Sequence, residues 1–136
     1  MVMVLDASYA VAIALAEDDL PGADEALERI ASEGAVVPPL WRFEVANALL
    51  TAVRRKWIAP SSPAVILGDL ACLAITIDDT SAARAWNETF ALADRHGLTV
   101  YDAAYLELAL RLGSTLASLD GDLIRAARRE AIEVVH

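Results

Sequence analysis

Five acidic residues stand where their type and spacing could do chemistry. Asp6 follows directly on the apolar run Val2-Met3-Val4-Leu5, and Asp120 lies just beyond another short apolar run at 114–117. Asp102 opens the stretch Asp102-Ala103-Ala104-Tyr105-Leu106, and Asp122 follows Asp120 by two positions. Glu44 lies inside a helical stretch whose apolar stripe is expected to include Leu40, Phe43, Leu50 and Val53. Glu44 comes one turn after Leu40 and Asn47 three residues later, which puts both on or beside the face to be buried. A buried carboxylate is costly unless it is paired or bound to a cation, and Glu44 is too deep in the helix to cap it.

Taken singly, these acids have ordinary roles. Asp6, Asp102 and Asp120 each sit where an N-cap is expected. Asp122 reads as a solvated helix residue, and Glu44 could pair with Arg42 or Arg84. Taken together they suggest more. Four carboxylates facing one cleft repel and raise one another's pKa unless a cation neutralises them. Hard divalent ions such as Mg²⁺ or Mn²⁺ favour that oxygen-rich setting. Ions held in this way, singly or paired, support phosphodiester cleavage.

The elements that must position these side chains alternate along the chain. Short apolar runs at 2–5, 35–37, 74–77, 114–117 and 132–135 read as strands. Between them, helices are expected at 7–16, 23–32, 40–56, from 60–63 to about 73, 81–96, 102–112 and 120–130. A polar turn at 17–22 ends in Pro21-Gly22, and Gly97 and Gly113 are expected to close their helices. Apolar strands without alternation, separated by helices, imply an α/β fold with a mostly parallel, doubly wound sheet of about five strands covered on both faces. In such sheets ligands bind outside the carboxyl ends of the strands. Asp6 and Asp120 would converge there if their strands are neighbours.

Composition narrows the classes. The 136 residues suit one domain, 1–136, and a hydrophobic content of 57% rules out disorder. The net charge of −9 excludes delocalised attraction to nucleic acid. Two basic clusters, Arg54-Arg55-Lys56 and Arg125 with Arg128 and Arg129, could still serve locally, or could simply be solvated helix ends. Cys72 is the only cysteine, so a disulfide within the chain and a Cys-based zinc site are both excluded. The longest uncharged stretch, 57–68, is too short to span a bilayer. The apolar start lacks a basic leader and contains Asp6, so a cytoplasmic protein is expected.

Four segments carry a resemblance: Val4-Leu5-Asp6-Ala7-Ser8, Glu44-Val45-Ala46-Asn47-Ala48-Leu49, Tyr101-Asp102-Ala103-Ala104-Tyr105-Leu106-Glu107-Leu108-Ala109 and Ser118-Leu119-Asp120-Gly121-Asp122-Leu123. In this order, across nearly the whole chain, they resemble PIN-domain ribonucleases, specifically VapC-type toxins of toxin–antitoxin pairs. The resemblance implies that Asp6, Glu44, Asp102 and Asp120 are the catalytic acids and hold one or two Mg²⁺ or Mn²⁺ ions, with Asp122 as an additional acid. It makes Ser8, Ser118 and Asn47 supporting polar groups. The implied activity is metal-assisted hydrolysis of RNA, leaving a 5′-phosphate and a 3′-hydroxyl. The implied partners are a second copy of the chain and a VapB-type antitoxin. A groove for the antitoxin is expected around Tyr9, Ile13 and Leu20, and Trp41, Trp57 and Trp86 exceed what the core must hold.

Other readings compete. A dehalogenase-like phosphatase would want Asp-x-Asp at the first strand, where this chain has Asp6 and Ser8, and a catalytic lysine, where Lys56 is the only one. Asp78-Asp79 reads as a turn and helix start rather than a phosphoacceptor. No Gly-x-Gly-x-x-Gly follows a strand, which removes dinucleotide binding. A degenerate PIN domain that only binds RNA or a partner would have no need of intact acids. His96, before Gly97, reads as a helix-terminal residue and His136 as the chain end, so a two-histidine mechanism is disfavoured.

Overall fold

The computed structural model describes residues 2–15, 20 and 22–135. The polar turn expected at 17–22 and His136 fall largely or wholly outside them. Five short strands, β1 (Met3–Leu5), β2 (Ala35–Val37), β3 (Ile75–Ile77), β4 (Thr115–Ala117) and β5 (Val134–Val135), form one sheet. Its order is β3-β2-β1-β4-β5, and every neighbouring pair is parallel. The chain winds outward from β1 through β2 to β3, then returns to the other side of β1 for β4 and β5. The strand order therefore reverses between β1 and β4, and right-handed crossovers put helices on both faces.

Among the described residues there are eight helices: α1 (Ala7–Ala14), α2 (Ala23–Glu33), α3 (Leu40–Arg54), α4 (Ser62–Ala71), α5 (Ser81–Arg84), α6 (Glu88–His96), α7 (Val100–Leu112) and α8 (Gly121–Arg129). α3 packs on α1 and α4, while α7 packs on α6, α8, β1 and β4. The central strand β1 is wholly buried, as are Tyr9, Ile30, Leu49, Tyr105, Leu106, Leu108, Leu116 and Leu123. Parallel strands covered on both faces must be largely apolar, as β1 and β2 are, whereas the edge strand β3 alternates, with Thr76 exposed.

Several expectations need correction. The helix expected over 81–96 is two, because the backbone leaves the helical region at Asn87 (φ −117°, ψ −95°), which starts α6. Asn competes with helical hydrogen bonding and favours such starts. Trp86, just before the break, is 91% exposed. α7 begins at Val100, two residues before the expected start. Thr99 is its N-cap and accepts from the Asp102 amide, so Asp102 lies inside the first turn. In α3 the buried stripe is Trp41, Val45, Leu49 and Ala52, whereas Phe43 and Leu50 face out. Both stripes satisfy the helical period, and the core selects the one facing it. Trp41 is consequently a core residue, while Trp57 is exposed like Trp86. Tyr9 is fully buried and walls no groove; Ile13 and Leu20 pack partly buried against the core. Gly97 and Gly113 close α6 and α7 in the left-handed conformation, as expected.

Candidate active site

The register of the sheet builds the site. β1 and β4 are aligned Leu5 to Ala117, so the next residues, Asp6 and Ser118, emerge side by side at the carboxyl ends of neighbouring strands. The Ser118 hydroxyl donates to Asp6 Oδ2 at 2.7 Å, and Ser8 donates to the same oxygen at 2.7 Å. Both hydroxyls also accept from the β4–α8 loop: Ser118 from the Asp120 amide at 3.0 Å and Ser8 from the Leu119 amide at 3.1 Å. The two serines therefore tie the Asp6 carboxylate to the backbone that carries Asp120. Asp6 occupies the N-cap position of α1, but its side chain caps nothing. Asp120 does cap α8, accepting from the Leu123 amide at 2.9 Å.

Glu44 enters from α3 and Asp102 from α7. Glu44 pairs with neither Arg42 nor Arg84; its Oε1 accepts from the Tyr105 hydroxyl at 2.5 Å. Tyr105 is fully buried, and burial together with the Glu44 charge raises its pKa and keeps the phenol neutral. It lies one turn after Asp102, on the same side of α7. Sequence reasoning assigns Tyr105 no role, because its partner Glu44 lies 61 positions away on another helix.

Asp6, Glu44, Asp102 and Asp120 line one cleft of about 290 Å³, together with Ala7, Ser8, Val11 and Ala48. The electrostatics are those of crowded acids. Burial raises the Asp6 pKa, opposed by the two serine hydroxyls and reinforced by the Asp120 charge. Burial raises Glu44, with the charges of Asp6 and Asp102 adding to it and the Tyr105 bond opposing. Burial, then the charges of Asp120 and Asp6, lift Asp102 to about 6. Such a donor set, all carboxylate oxygen in a water-accessible cleft, suits a hard divalent ion that keeps part of its water. Among the described residues, no three His, Cys, Asp or Glu side chains converge closely enough to enclose an ion as they stand.

Two expected site residues stand apart. Asp122 does not line the cleft; its carboxylate is 66% exposed and accepts from Arg125 at 2.8 Å. Asn47 is exposed on α3, beyond the cleft wall. Position i+3 from Glu44 had put it on the buried side, but the stripe that packs inward is the one through Val45 and Leu49.

A second acidic cluster lies away from the cleft. The buried Glu107 accepts from Arg111 at 2.8 Å, and Arg111 also pairs with Asp78 at 2.8 Å. These bonds lock α7 to the end of β3. His96 ends α6 as expected, with Nε2 2.8 Å from Glu130 Oε1.

Against this geometry, comparisons with known proteins are specific. The PIN-domain family profile matches residues 3–129. Ribonuclease VapC3 of Pyrobaculum aerophilum is 33% identical over 123 residues, covering 90% of this chain and 92% of that protein. The crystal structure of PAE2754 from the same organism shares the fold with a TM-score of 0.73 at 23% identity, over 99% of this chain and 91% of that one. The VapBC2 structure from Rickettsia felis, bound to a DNA fragment from their promoter, aligns with a TM-score of 0.66 at 14% identity, over 98% and 97% of the two chains.

Proposed function

The chain belongs to the PIN-domain family and is of VapC type, and from that premise we propose that it is a cytoplasmic, metal-dependent endoribonuclease toxin held in check by a VapB-type antitoxin. The observation that carries this reading is the convergence of Asp6, Glu44, Asp102 and Asp120 on one cleft where the strand order reverses. The similarity to a ribonuclease over 90% of the chain supports RNA as substrate. A fold neighbour solved as a VapBC2 assembly supports an antitoxin as partner, and a second copy of the chain is proposed beside it. Among the described residues no helix is long and apolar enough to cross a membrane.

The four acids would hold one or two Mg²⁺ or Mn²⁺ ions. A bound divalent ion supplies Lewis-acid stabilisation of charge on phosphorus and a more acidic water. The protein's own groups do the positioning. Ser8 and Ser118 both donate to Oδ2 of Asp6, so Oδ1 is the oxygen that would serve an ion. Tyr105 fixes one oxygen of Glu44 and leaves the other for the cleft. The Leu123 amide similarly occupies Oδ1 of Asp120. Mutual repulsion among these carboxylates would be relieved by a bound cation, so the cleft favours one. Asp122, already paired with Arg125, stands at the rim and is not required as a ligand.

The test is cleavage of single-stranded RNA by purified, antitoxin-free protein in Mg²⁺ or Mn²⁺, set against EDTA and against Asp102→Asn. Cutting that needs both the ion and Asp102 supports the proposal. Equal cutting by the variant, or cutting in chelator, overturns it.

A further inference from the structure

We propose that the end of α3 is a docking subsite for single-stranded RNA, in which Arg54, Arg55 and Lys56 contact phosphates and Trp57 stacks on a base. This rests on the ribonuclease reading and names where the substrate strand lies beyond the acidic cleft.

The cations first distinguish the site. Four arginines elsewhere are committed to acids: Arg84 to Glu88 and Glu107, Arg95 to Glu130, Arg111 to Asp78 and Glu107, Arg125 to Asp122. Arg54, Arg55 and Lys56 are exposed and make no ion pair among the described residues. In a chain of net charge −9, three consecutive cations without an acidic partner among the described residues concentrate positive charge at the end of α3. In the other basic cluster, near the end of α8, Arg125 is already paired with Asp122 and no exposed aromatic ring adjoins the arginines in sequence.

The aromatic group is the second observation. Trp57 is 68% exposed, and the Arg55 guanidinium lies 5.1 Å from its ring centroid. The cation covers one face of the indole and orients it. An exposed aromatic face beside unpaired cations is the combination that binds single strands, since each base offers a π-face and each linkage a phosphate. An acidic peptide would use the cations but has no need of the platform.

The backbone is built to hold this arrangement. The Trp57 amide bonds back to Ala52 O at 2.8 Å and the Lys56 amide to Val53 O at 2.9 Å, a Schellman closure of α3. The left-handed residue of that closure is Lys56, at φ 61°, where glycine is usual. Ala131 closes α8 with the same backbone bonds at φ 60°, so the closure serves here to fix where Lys56 and Trp57 leave the helix.

Position completes the argument. Glu44, Ala48, Thr51 and Arg55 recur at helical spacing along one face of α3, and the first two line the acidic cleft. Eleven residues of helix separate Glu44 from Arg55 by about 16 Å. A strand whose scissile bond sits at the acids can therefore follow this face to the patch.

The experiment measures binding of a short labelled single-stranded RNA of mixed sequence by fluorescence anisotropy, in Mg²⁺, over a series of salt concentrations. All proteins carry Asp102→Asn to prevent cutting, and each is checked for its thermal melt. Trp57→Ala should weaken binding roughly 5- to 100-fold with the salt slope unchanged, and Trp57→Phe should recover most of the loss. Replacing Arg54, Arg55 and Lys56 by Ala should flatten the log–log salt slope by about 2. Lys56→Gly should raise the melting temperature while weakening RNA binding. Unchanged affinity and slope in these folded variants, with wild-type protein still cutting RNA, would overturn the subsite alone. Absence of binding by the Asp102→Asn parent, together with absence of cutting by the wild type, would instead overturn the ribonuclease reading. Preferential capture of poly-glutamate, lost in the same variants, would overturn RNA as the occupant.

Discussion

Tyr105 and Glu44, 61 positions apart in sequence, meet hydroxyl to carboxylate at 2.5 Å. The bond links α7 to α3 behind the cleft lining, so two of its four acids are tied to one buried phenol: Asp102 by helix geometry, Glu44 by hydrogen bonding. A neutral donor that is itself fully buried holds the carboxylate without adding a counter-charge. The acid is oriented while its negative charge stays available to a cation.

Tyr105→Phe keeps the packing and removes that donor. We expect a folded protein about 1 kcal/mol less stable in urea denaturation, the usual net worth of one such bond. Single-turnover cleavage should fall by about tenfold, corresponding to a loss near 1.4 kcal/mol of positioning. A variant that cuts at the wild-type rate would show that Glu44 needs no support.

Asp102 makes stability depend on pH in the direction opposite to a salt-bridged acid. Its folded pKa of about 6 lies above the ordinary 3.8, chiefly through burial and secondly through the charges of Asp120 and Asp6. The folded state therefore holds more protons between those values, and stability falls as pH rises through that window, staying low above it. Asp102→Asn removes the penalty. After allowance for solvent screening it should gain about 1 kcal/mol near neutral pH, or about 4 °C in melting temperature. Mn²⁺ should stabilise the wild type by the same relief and the variant much less. A lower melting temperature for the variant in chelator would contradict this account.

Ser118 is fully buried and serves two carboxylate-bearing segments at once, donating to Asp6 and accepting from the Asp120 amide. Ser118→Ala should cost about 1–3 kcal/mol by chemical denaturation, because both partners stay in place. Cleavage should fall even at temperatures where the variant is fully folded. Normal activity in a destabilised variant would make Ser118 a packing residue only.

Asp122→Asn and Asn47→Ala should each change the cleavage rate by no more than about threefold. Asp122 is an exposed partner of Arg125, and such pairs are worth well under 1 kcal/mol in most settings. A loss of a hundredfold or more in Asp122→Asn would place its carboxylate among the ion's ligands.

The strands were legible because parallel strands buried on both faces must be largely apolar, and runs such as Met3-Val4-Leu5 and Thr115-Leu116-Ala117 have no other explanation. Their order was not, since nothing local says that β1 lies between β2 and β4. The convergence of Asp6 with Asp120 depended on that order. The face of α3 was misjudged because two apolar stripes share one period, and only tertiary packing decides that Phe43 faces water and Trp41 the core. Thr99 took the cap expected of Asp102, which freed the carboxylate for the cleft. The Tyr105–Glu44 bond was hidden for another reason: side-chain pairing between distant helices leaves no periodic trace.

The most direct test is the divalent-ion titration of RNA cleavage by wild type and Asp102→Asn, with the antitoxin and host nucleases removed. The account predicts cutting that rises with Mg²⁺ or Mn²⁺, stops in EDTA and is lost in the variant at every ion concentration. Cutting of equal rate by both proteins, or cutting by the wild type that persists in EDTA, would contradict it.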